Sequence, residues 1–383
     1  MKIVCIAASF IPSNTANSIQ VMKACQGLVA AGHAVTLLVP GDMETDWADL
    51  QDHYGVQHSF DIHWIPENLR FKRYDFAWKA VQEGTRMKPD LVYTWVLQAA
   101  VFALWKKIPT MLEMHDRVTG RVGPWLFRQF WNSKTPKRLL TITAALKRAL
   151  MADFNLSGKA DQILLAPDGV DLARYQGLPS PEDAREQLGL KPGFTAGYTG
   201  HFYAGRGLDL MYNLAKALPE VQFLWVGGDP TDVTLWQKRI NSAKISNIKL
   251  TGFVPNQELP SCQAACDLLL MPYSDVIAGS GGGNTAQIAS PMKMFEYMAA
   301  GRAIISSDLP VIHEVLDADS ALFCPPDDLP AWKAAIQFLM KDPGRRRQLA
   351  TTAQSYSRKY TWEARSRHAL ENFPEPDLES LQQ

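Results

Sequence analysis

The sequence predicts two doubly wound α/β domains, and three observations carry that expectation. Short apolar runs alternate with longer amphipathic stretches in both halves, the pattern of a parallel sheet covered by helices on both faces. At 383 residues the chain suits two domains that each bury a core. A charged connector bearing Pro179 and Pro181 separates the halves. The expected extents are residues 1–172, completed by a C-terminal helix over 361–373, then residues 173–360, with a loose, acidic, proline-rich tail over 374–383.

The opening MKIVCIAASFIP has one lysine and an apolar run too short for a secretory leader, so Lys2 to Ala8 reads as a buried strand. A loop, Ser9 to Asn17, leads into a helix that ends near Ala31 and Gly32. Asn17 and Ser18 suit its cap. Ala34 to Val39 follows as a strand. This βαβ start lacks the G-x-G-x-x-G pattern, which argues against a nicotinamide enzyme. Further strands are expected at Asp61 to Pro66, Leu91 to Trp95, Thr110 to Met114 and Gln162 to Ala166. The third of these runs into His115, and strand C-termini are where doubly wound sheets place chemistry. A lone histidine is also a common structural residue, so both roles stay open here.

The second domain opens with a strand, Thr195 to Thr199, the glycine-rich turn Gly200 to Gly207, and a helix from Leu208 to Leu218. Arg206 lies in that turn, either as an anion ligand or as a solvated cation. Strands are expected at Gln222 to Val226, Ile248 to Thr251, Leu268 to Met271, Ala303 to Ser306 and Ala321 to Cys324. A last helix opens around Tyr360 to Glu363.

Composition narrows the function classes. Lys and Arg number 39 and Asp and Glu 39, so the total charge gives no reason to expect a nucleic-acid partner. Residues 1–165 hold 19 basic against 14 acidic residues, an asymmetry that fits an anionic acceptor or membrane surface, or no function at all. Five cysteines without a paired framework point to a reducing compartment. Cys262 and Cys266 are a helical turn apart, yet no second ligand pair follows, so they read as buried thiols. With no run long enough to span a bilayer, a cytoplasmic protein is expected, at most peripheral to the inner membrane face. Two stretches mix rings and cations: Arg70 to Tyr74, and Trp125 to Trp131 followed by Lys134, Lys137 and Arg138. Either the rings lie in a membrane interface or they fill the core and leave the cations wet.

The stretch richest in chemistry is SPMKMFEYMAAGRAIISSD, Ser290 to Asp308. Ser290 suits a helix cap and Pro291 a first turn, with Gly301 as the stop. Lys293 and Glu296 share one face, an arrangement any amphipathic helix can carry. A helix N-terminus preceded by Gly281, Gly282 and Gly283 can also cradle a phosphate, with Lys293 adding charge and Glu296 accepting from a ribose diol.

This segment, with RAIISSDLPVIHEVL inside and after it, resembles the signature of retaining glycosyltransferases of family 4, a group of GT-B fold; weaker similarity extends over most of the chain. The resemblance implies two Rossmann-like domains facing a cleft, the acceptor bound by the first and a nucleotide-sugar donor by the second. It implies a diphosphate clamp of Arg206 and Lys293 beside Gly200, with the amides at Ser290 and Pro291 and the backbone of Met292. It further implies ribose contact by Glu296, His115 beside the sugar, and Asn17 and Ser18 on the acceptor side. No metal and no cofactor beyond the donor itself are expected.

Two departures stand out. His201 occupies a position where the resembled group usually has an arginine, and Ile288 falls where a first glutamate is usual. Isoleucine cannot bond a sugar hydroxyl, which leaves the donor sugar open. The expected reaction is transfer of a sugar from a nucleoside-diphosphate donor to a hydroxyl acceptor, glycan, lipid-linked or small. The alternatives are a nucleotide-sugar epimerase, with Glu113 and Asp116 as its bases, and a donor-binding pseudoenzyme.

Overall fold

Runs such as KIVCI and AVTLLVP have apolar side chains on both faces, so each strand must be covered twice and pair side by side with parallel neighbours. A computed structural model describes the chain except residue 43 and residues 69–72, 157–161, 278–285 and 374–383. Gly281 to Gly283 and Arg70 to Lys72 therefore lie outside the described residues. The chain divides into two units, Met1–Asp168 with Trp362–Gln383, and Gly169–Thr361.

In the first unit the elements alternate: β1 (Lys2–Ile6), α1 (Ala16–Ala30), β2 (Ala34–Pro40), α2 (Trp47–Tyr54), β3 (Asp61–Ile65), α3 (Tyr74–Arg86), β4 (Leu91–Thr94), α4 (Leu97–Trp105), β5 (Thr110–Met114), α5 (Gly123–Asn132), β6 (Lys137–Thr141), α6 (Ala144–Phe154) and β7 (Ile163–Leu165). Among the described residues they form a parallel sheet of order β3-β2-β1-β4-β5-β6-β7. The order reverses between β1 and β4, the switch point of a doubly wound sheet. Alternation along β1 sends Ile3 and Cys5 to one core with Met22 and Leu28 of α1, and Val4 and Ile6 to the other with Phe76 of α3 and Ala99 of α4.

The second unit repeats the plan with α7 (Pro181–Gln187), β8 (Thr195–Thr199), α8 (Leu208–Ala217), β9 (Gln222–Val226), α9 (Pro230–Ser242), β10 (Ile248–Leu250), α10 (Leu259–Ala264), β11 (Leu268–Met271), α11 (Met292–Ala299), β12 (Ala303–Ser307), β13 (Ala321–Cys324), α12 (Leu329–Lys341) and α13 (Pro343–Ser357). Its sheet order is β10-β9-β8-β11-β12-β13, with the switch point between β8 and β11. Trp225, Phe223, Tyr198 and Trp332 anchor its core.

The last helix, α14 (Trp362–Leu370), belongs to the first unit and packs on α1. Arg138 at the start of β6 closes its C-terminus, donating to the carbonyls of Ala369 at 2.7 Å, Glu371 at 2.8 Å and Asn372 at 2.9 Å. The boundary falls after Asp168 and not after residue 172. Val170 donates to the Tyr360 carbonyl at 2.8 Å and pairs with Thr361, which ties the turn to the second unit.

The expected cap of α1 also needs correction. Thr15 caps α1, accepting from the Ser18 amide, so Asn17 and Ser18 stand inside the first turn. The Ser18 hydroxyl is spent on the carbonyls of Ser13 and Thr15. Phe127, Phe130 and Trp131 are buried, leaving Trp125 as the exposed ring of α5. All five cysteines are buried free thiols, and burial pushes the Cys262 thiol up to about 11, away from the thiolate a metal would need. Among the described residues no helix is long and apolar enough to cross a membrane.

Candidate active site

In the second unit the sequence-predicted donor residues gather at the C-terminal ends of β8 and β11. β8 ends at Thr199, and Gly200 follows with φ +137, a conformation that side chains avoid. A Cβ there would lie 2.7 Å from the Lys293 ammonium nitrogen, so glycine is what lets the lysine reach the strand end. Gly207 caps α8 at φ +74, where a Cβ would fall 1.9 Å from the carbonyl oxygen of Pro272. The turn carrying Arg206 is thereby pressed onto the end of β11.

Helix α11 begins one residue later than expected. Pro291 is its cap, with extended backbone (ψ 118), and the Ser290 hydroxyl is buried without a hydrogen-bond partner among the described residues. Pro291 has no amide hydrogen, so the unbonded donors of the first turn are those of Met292 and Lys293, not of Ser290 and Pro291. Tyr297, one turn beyond Lys293, accepts a hydrogen bond from the Thr199 amide at 2.8 Å and locks the helix to the end of β8.

The two cations converge. Lys293 Nζ stands 3.8 Å from the centre of the Tyr198 ring and 5.6 Å from that of Tyr273, and the Arg206 guanidinium lies 5.1 Å from the same Tyr273 ring. Burial, and then the charge of Arg206, holds the Lys293 ammonium well below its ordinary pKa, against the opposing pull of Glu296. Two cations sharing aromatic walls, a buried hydroxyl and a helix N-terminus have the chemistry to hold an anion. His201 stacks on Tyr203 at 4.7 Å, and Ile288 is buried. Glu296 is partly buried, and its charge reaches the Tyr175 phenol.

In the first unit His115 follows β5 with 27% of its side chain exposed, and its Nε2 lies 2.6 Å from Glu113 Oε1. Burial opposes protonation of the ring, but Glu113 and Asp168 outweigh it and raise the pKa. Glu113 is fully buried. It accepts from Gln20 at 2.8 Å, pairs with Arg365 of α14 at 2.7 Å, and bonds the Tyr93 hydroxyl. Asp116 accepts from the Arg117 amide.

Models of two families match the chain: one described as Glycosyltransferase Family 4 over residues 18–174, and one described as Glycosyl transferases group 1 over residues 193–342. Together they account for most of both units. The chain belongs to glycosyltransferase family 4.

Among curated relatives, this family 4 chain is 25% identical over 188 residues to 2-deoxystreptamine glucosyltransferase of Streptomyces kanamyceticus, covering 47% of this chain and 46% of the relative. It is 24% identical over 211 residues to alpha-galactosylglucosyldiacylglycerol synthase of Streptococcus pneumoniae, covering 53% and 52%. The matched stretches thus span about half the length of these relatives. Solved structures align over nearly the whole length. HepE of Anabaena, solved with UDP-glucose, gives a TM-score of 0.73 at 16% identity over 97% of this chain and 99% of that one. Sucrose-phosphate synthase of Thermosynechococcus elongatus gives 0.72 at 17% over 96% of each. These likenesses show the GT-B fold.

For this family 4 chain, sequence reasoning missed Tyr198 and Tyr273, whose rings flank the two cations, and Tyr297, which bonds the end of β8. It also missed Arg365 and Gln20 around Glu113. Tyr198 was detectable as an alternate residue of β8. Arg365 gave no local signal, since its partner is distant in sequence.

Proposed function

We propose that the chain is a retaining, metal-independent glycosyltransferase that moves a sugar from a nucleoside-diphosphate donor to a hydroxyl acceptor. The convergence of Arg206 and Lys293 on Tyr273, beside the first turn of α11, carries this reading. Breaking the bond between sugar and diphosphate leaves negative charge on the leaving group. In this reading both cations, the amides of Met292 and Lys293 and the Ser290 hydroxyl stabilise that charge as it develops. Two cations supply the neutralisation that a divalent ion supplies elsewhere. Glu296 takes the ribose, and His115 of the first unit takes part in transfer. The donor sugar is held without a carboxylate at position 288.

The epimerase reading loses one of its two bases, because Glu113 is spent on Arg365, Gln20, Tyr93 and His115. HepE was solved with UDP-glucose, so UDP and its sugars are the first probes, followed by GDP and ADP counterparts. A bound nucleotide should raise the melting temperature, and turnover should require an acceptor. Loss of one charge-assisted phosphate contact costs about 2–4 kcal/mol, so Lys293→Ala or Arg206→Ala should lower turnover roughly a hundredfold or more. Turnover at the parent rate in both variants would refute the assignment. Donor affinity with no transfer to any acceptor would favour a binding role.

A specific observation also favours a membrane-borne acceptor. Trp78 of α3, Phe102 and Trp105 of α4 and Trp125 of α5 form a continuous row of rings with centroids 5.4, 5.5 and 6.5 Å apart. The three tryptophans are 40%, 54% and 49% exposed. Lys106 sits over Trp78 at 5.6 Å, and Lys79, Lys107, Arg121 and Arg128 are exposed on the same three helices or beside them. Rings flanked by cations match the boundary between acyl chains and anionic headgroups. We propose that this surface rests on an anionic membrane.

A further inference from the structure

The first unit buries a polar cluster that no part of the donor site uses. Glu113 and His115 lie two residues apart at the end of β5, hence on one side of the sheet. Arg365 reaches this point from the last helix. It meets Glu113 Oε1 at 2.7 Å and donates to the Tyr93 hydroxyl at 3.0 Å and to the carbonyls of Pro167 and Ala166 at 2.8 and 3.1 Å. With Gln20 and Tyr93 also bonded to it, the Glu113 carboxylate has no freedom to turn.

That rigidity has a chemical consequence for the histidine. A ring nitrogen held against a carboxylate carries the proton. Among the described residues Glu113 is the ring's sole hydrogen-bond partner. The neutral imidazole then has its hydrogen on Nε2 and an unshared pair on Nδ1. We propose that Arg365 and Glu113 are positioning residues that fix the tautomer and orientation of His115, so that Nδ1 serves as a hydrogen-bond acceptor for a hydroxyl during transfer.

Asp168 completes the cluster. Its Oδ1 and the Oε1 of Gln20 are both buried without a partner among the described residues, although the Gln20 side chain reaches Asp168. Burial pushes the Asp168 carboxyl up to about 6, against the opposing charges of His115 and Arg365. Above that pH two buried carboxylates, Glu113 and Asp168, face Arg365 and the His115 ring, which is why the ring holds its proton to higher pH than a free imidazole. The groups acting on His115 are Glu113 from its own strand, Asp168 from the turn after β7 and Arg365 from α14. Tyr93 of β4 stands behind Glu113, and Asp116 follows in the chain.

The inference rests on the transferase reading, and its test separates the two. Nitrogen-labelled histidine is followed by NMR across pH in the full chain, alongside kcat/KM against pH on the nucleotide sugar it accepts. Wild type should show the Nε2–H tautomer. Glu113→Gln keeps the bond and removes the charge, so the His115 pKa and the acid limb of kcat/KM should move to lower pH together. The paired Glu113→Leu/Arg365→Met removes both members of the buried ion pair together, so neither is left without its partner. It should release the tautomer and lower kcat about tenfold or more while the donor KM holds. Arg365→Lys should recover part of the kcat that Arg365→Gln loses. A wild-type ring protonated on Nδ1, or a ring unmoved by both Glu113 variants, would overturn the proposal. So would an acid limb that stays in place while the ring shifts. Should no nucleotide sugar be turned over, the transferase reading fails, and the Nδ1 role with it, while the NMR arm still decides how the ring is held.

Discussion

Lys293 Nζ stands 3.8 Å from the centre of the Tyr198 ring, closer than to any carboxylate among the described ion pairs. A lysine held against a ring and beside Arg206 is poorly compensated, and its pKa is lowered by burial first and by Arg206 second. A diphosphate placed next to it reverses the second effect and raises that pKa. Nucleotide binding should therefore take up a proton wherever the solution pH lies between the free and bound values. Calorimetry of UDP binding in buffers of different ionisation enthalpy reads this directly. The observed enthalpy should depend on the buffer, and Lys293→Met should abolish the dependence. Equal enthalpies in all buffers over a broad pH range would count against the lysine as the diphosphate ligand.

A second prediction concerns the turn that presents Arg206. Gly207 combines φ +74 with a Cβ position 1.9 Å from the Pro272 carbonyl oxygen, and Tyr273 is the next residue. Alanine at 207 must push the turn and the end of β11 apart, which separates Arg206 from the ring it shares with Lys293. Gly207→Ala should cost about 2 kcal/mol or more of stability. It should also erase the rise in melting temperature on adding nucleotide. A variant that melts and binds like the parent would show that the turn does not need this contact.

What could be read ahead of the structure divides along physical lines. The strands Thr110–Met114, Thr195–Thr199 and Leu268–Met271 were legible to the residue because each is a short apolar run bounded by turn residues. Arg206 and Lys293 were legible as candidates, and their convergence follows once β8 and β11 are neighbours at a switch point. Caps were harder. Ser290 and Asn17 each had a competitor one or two residues away, Pro291 and Thr15, and the backbone decided between them. Arg365 was illegible, since only the packing of α14 on α1 brings it to Glu113.

Asp168 supplies a prediction about stability. Its folded carboxyl titrates at about 6, above the ordinary aspartate value of 3.8. In this range the folded chain keeps a proton that the unfolded chain has lost, so stability falls as pH rises from about 4 to about 6 and stays reduced above it. The cost is on the order of 3 kcal/mol. An asparagine side chain at this position has no charge to bury and can donate to Gln20. Asp168→Asn should accordingly raise the melting temperature at pH 7, with the gain shrinking to nothing near pH 4. A gain that is constant across this range would mean that Asp168 is not buried in its charged form.

The aromatic row over α3, α4 and α5 makes the last prediction. Its occupant is argued from charge: the exposed lysines and arginines around Trp78, Trp105 and Trp125 favour an anionic surface, and the rings favour one with an apolar interior. Co-sedimentation with vesicles of phosphatidylglycerol and phosphatidylcholine should show binding that weakens with salt, as screening shortens the reach of the headgroup charge. Vesicles of phosphatidylcholine alone should bind little. Trp78→Ser, Trp105→Ser and Trp125→Ser combined should reduce binding roughly tenfold or more and leave nucleotide binding intact, because these rings lie in the first unit and Arg206 and Lys293 in the second. Undiminished vesicle binding by the triple variant would remove the row from any membrane role. A wild-type chain that ignores anionic vesicles altogether would instead point the row at another protein.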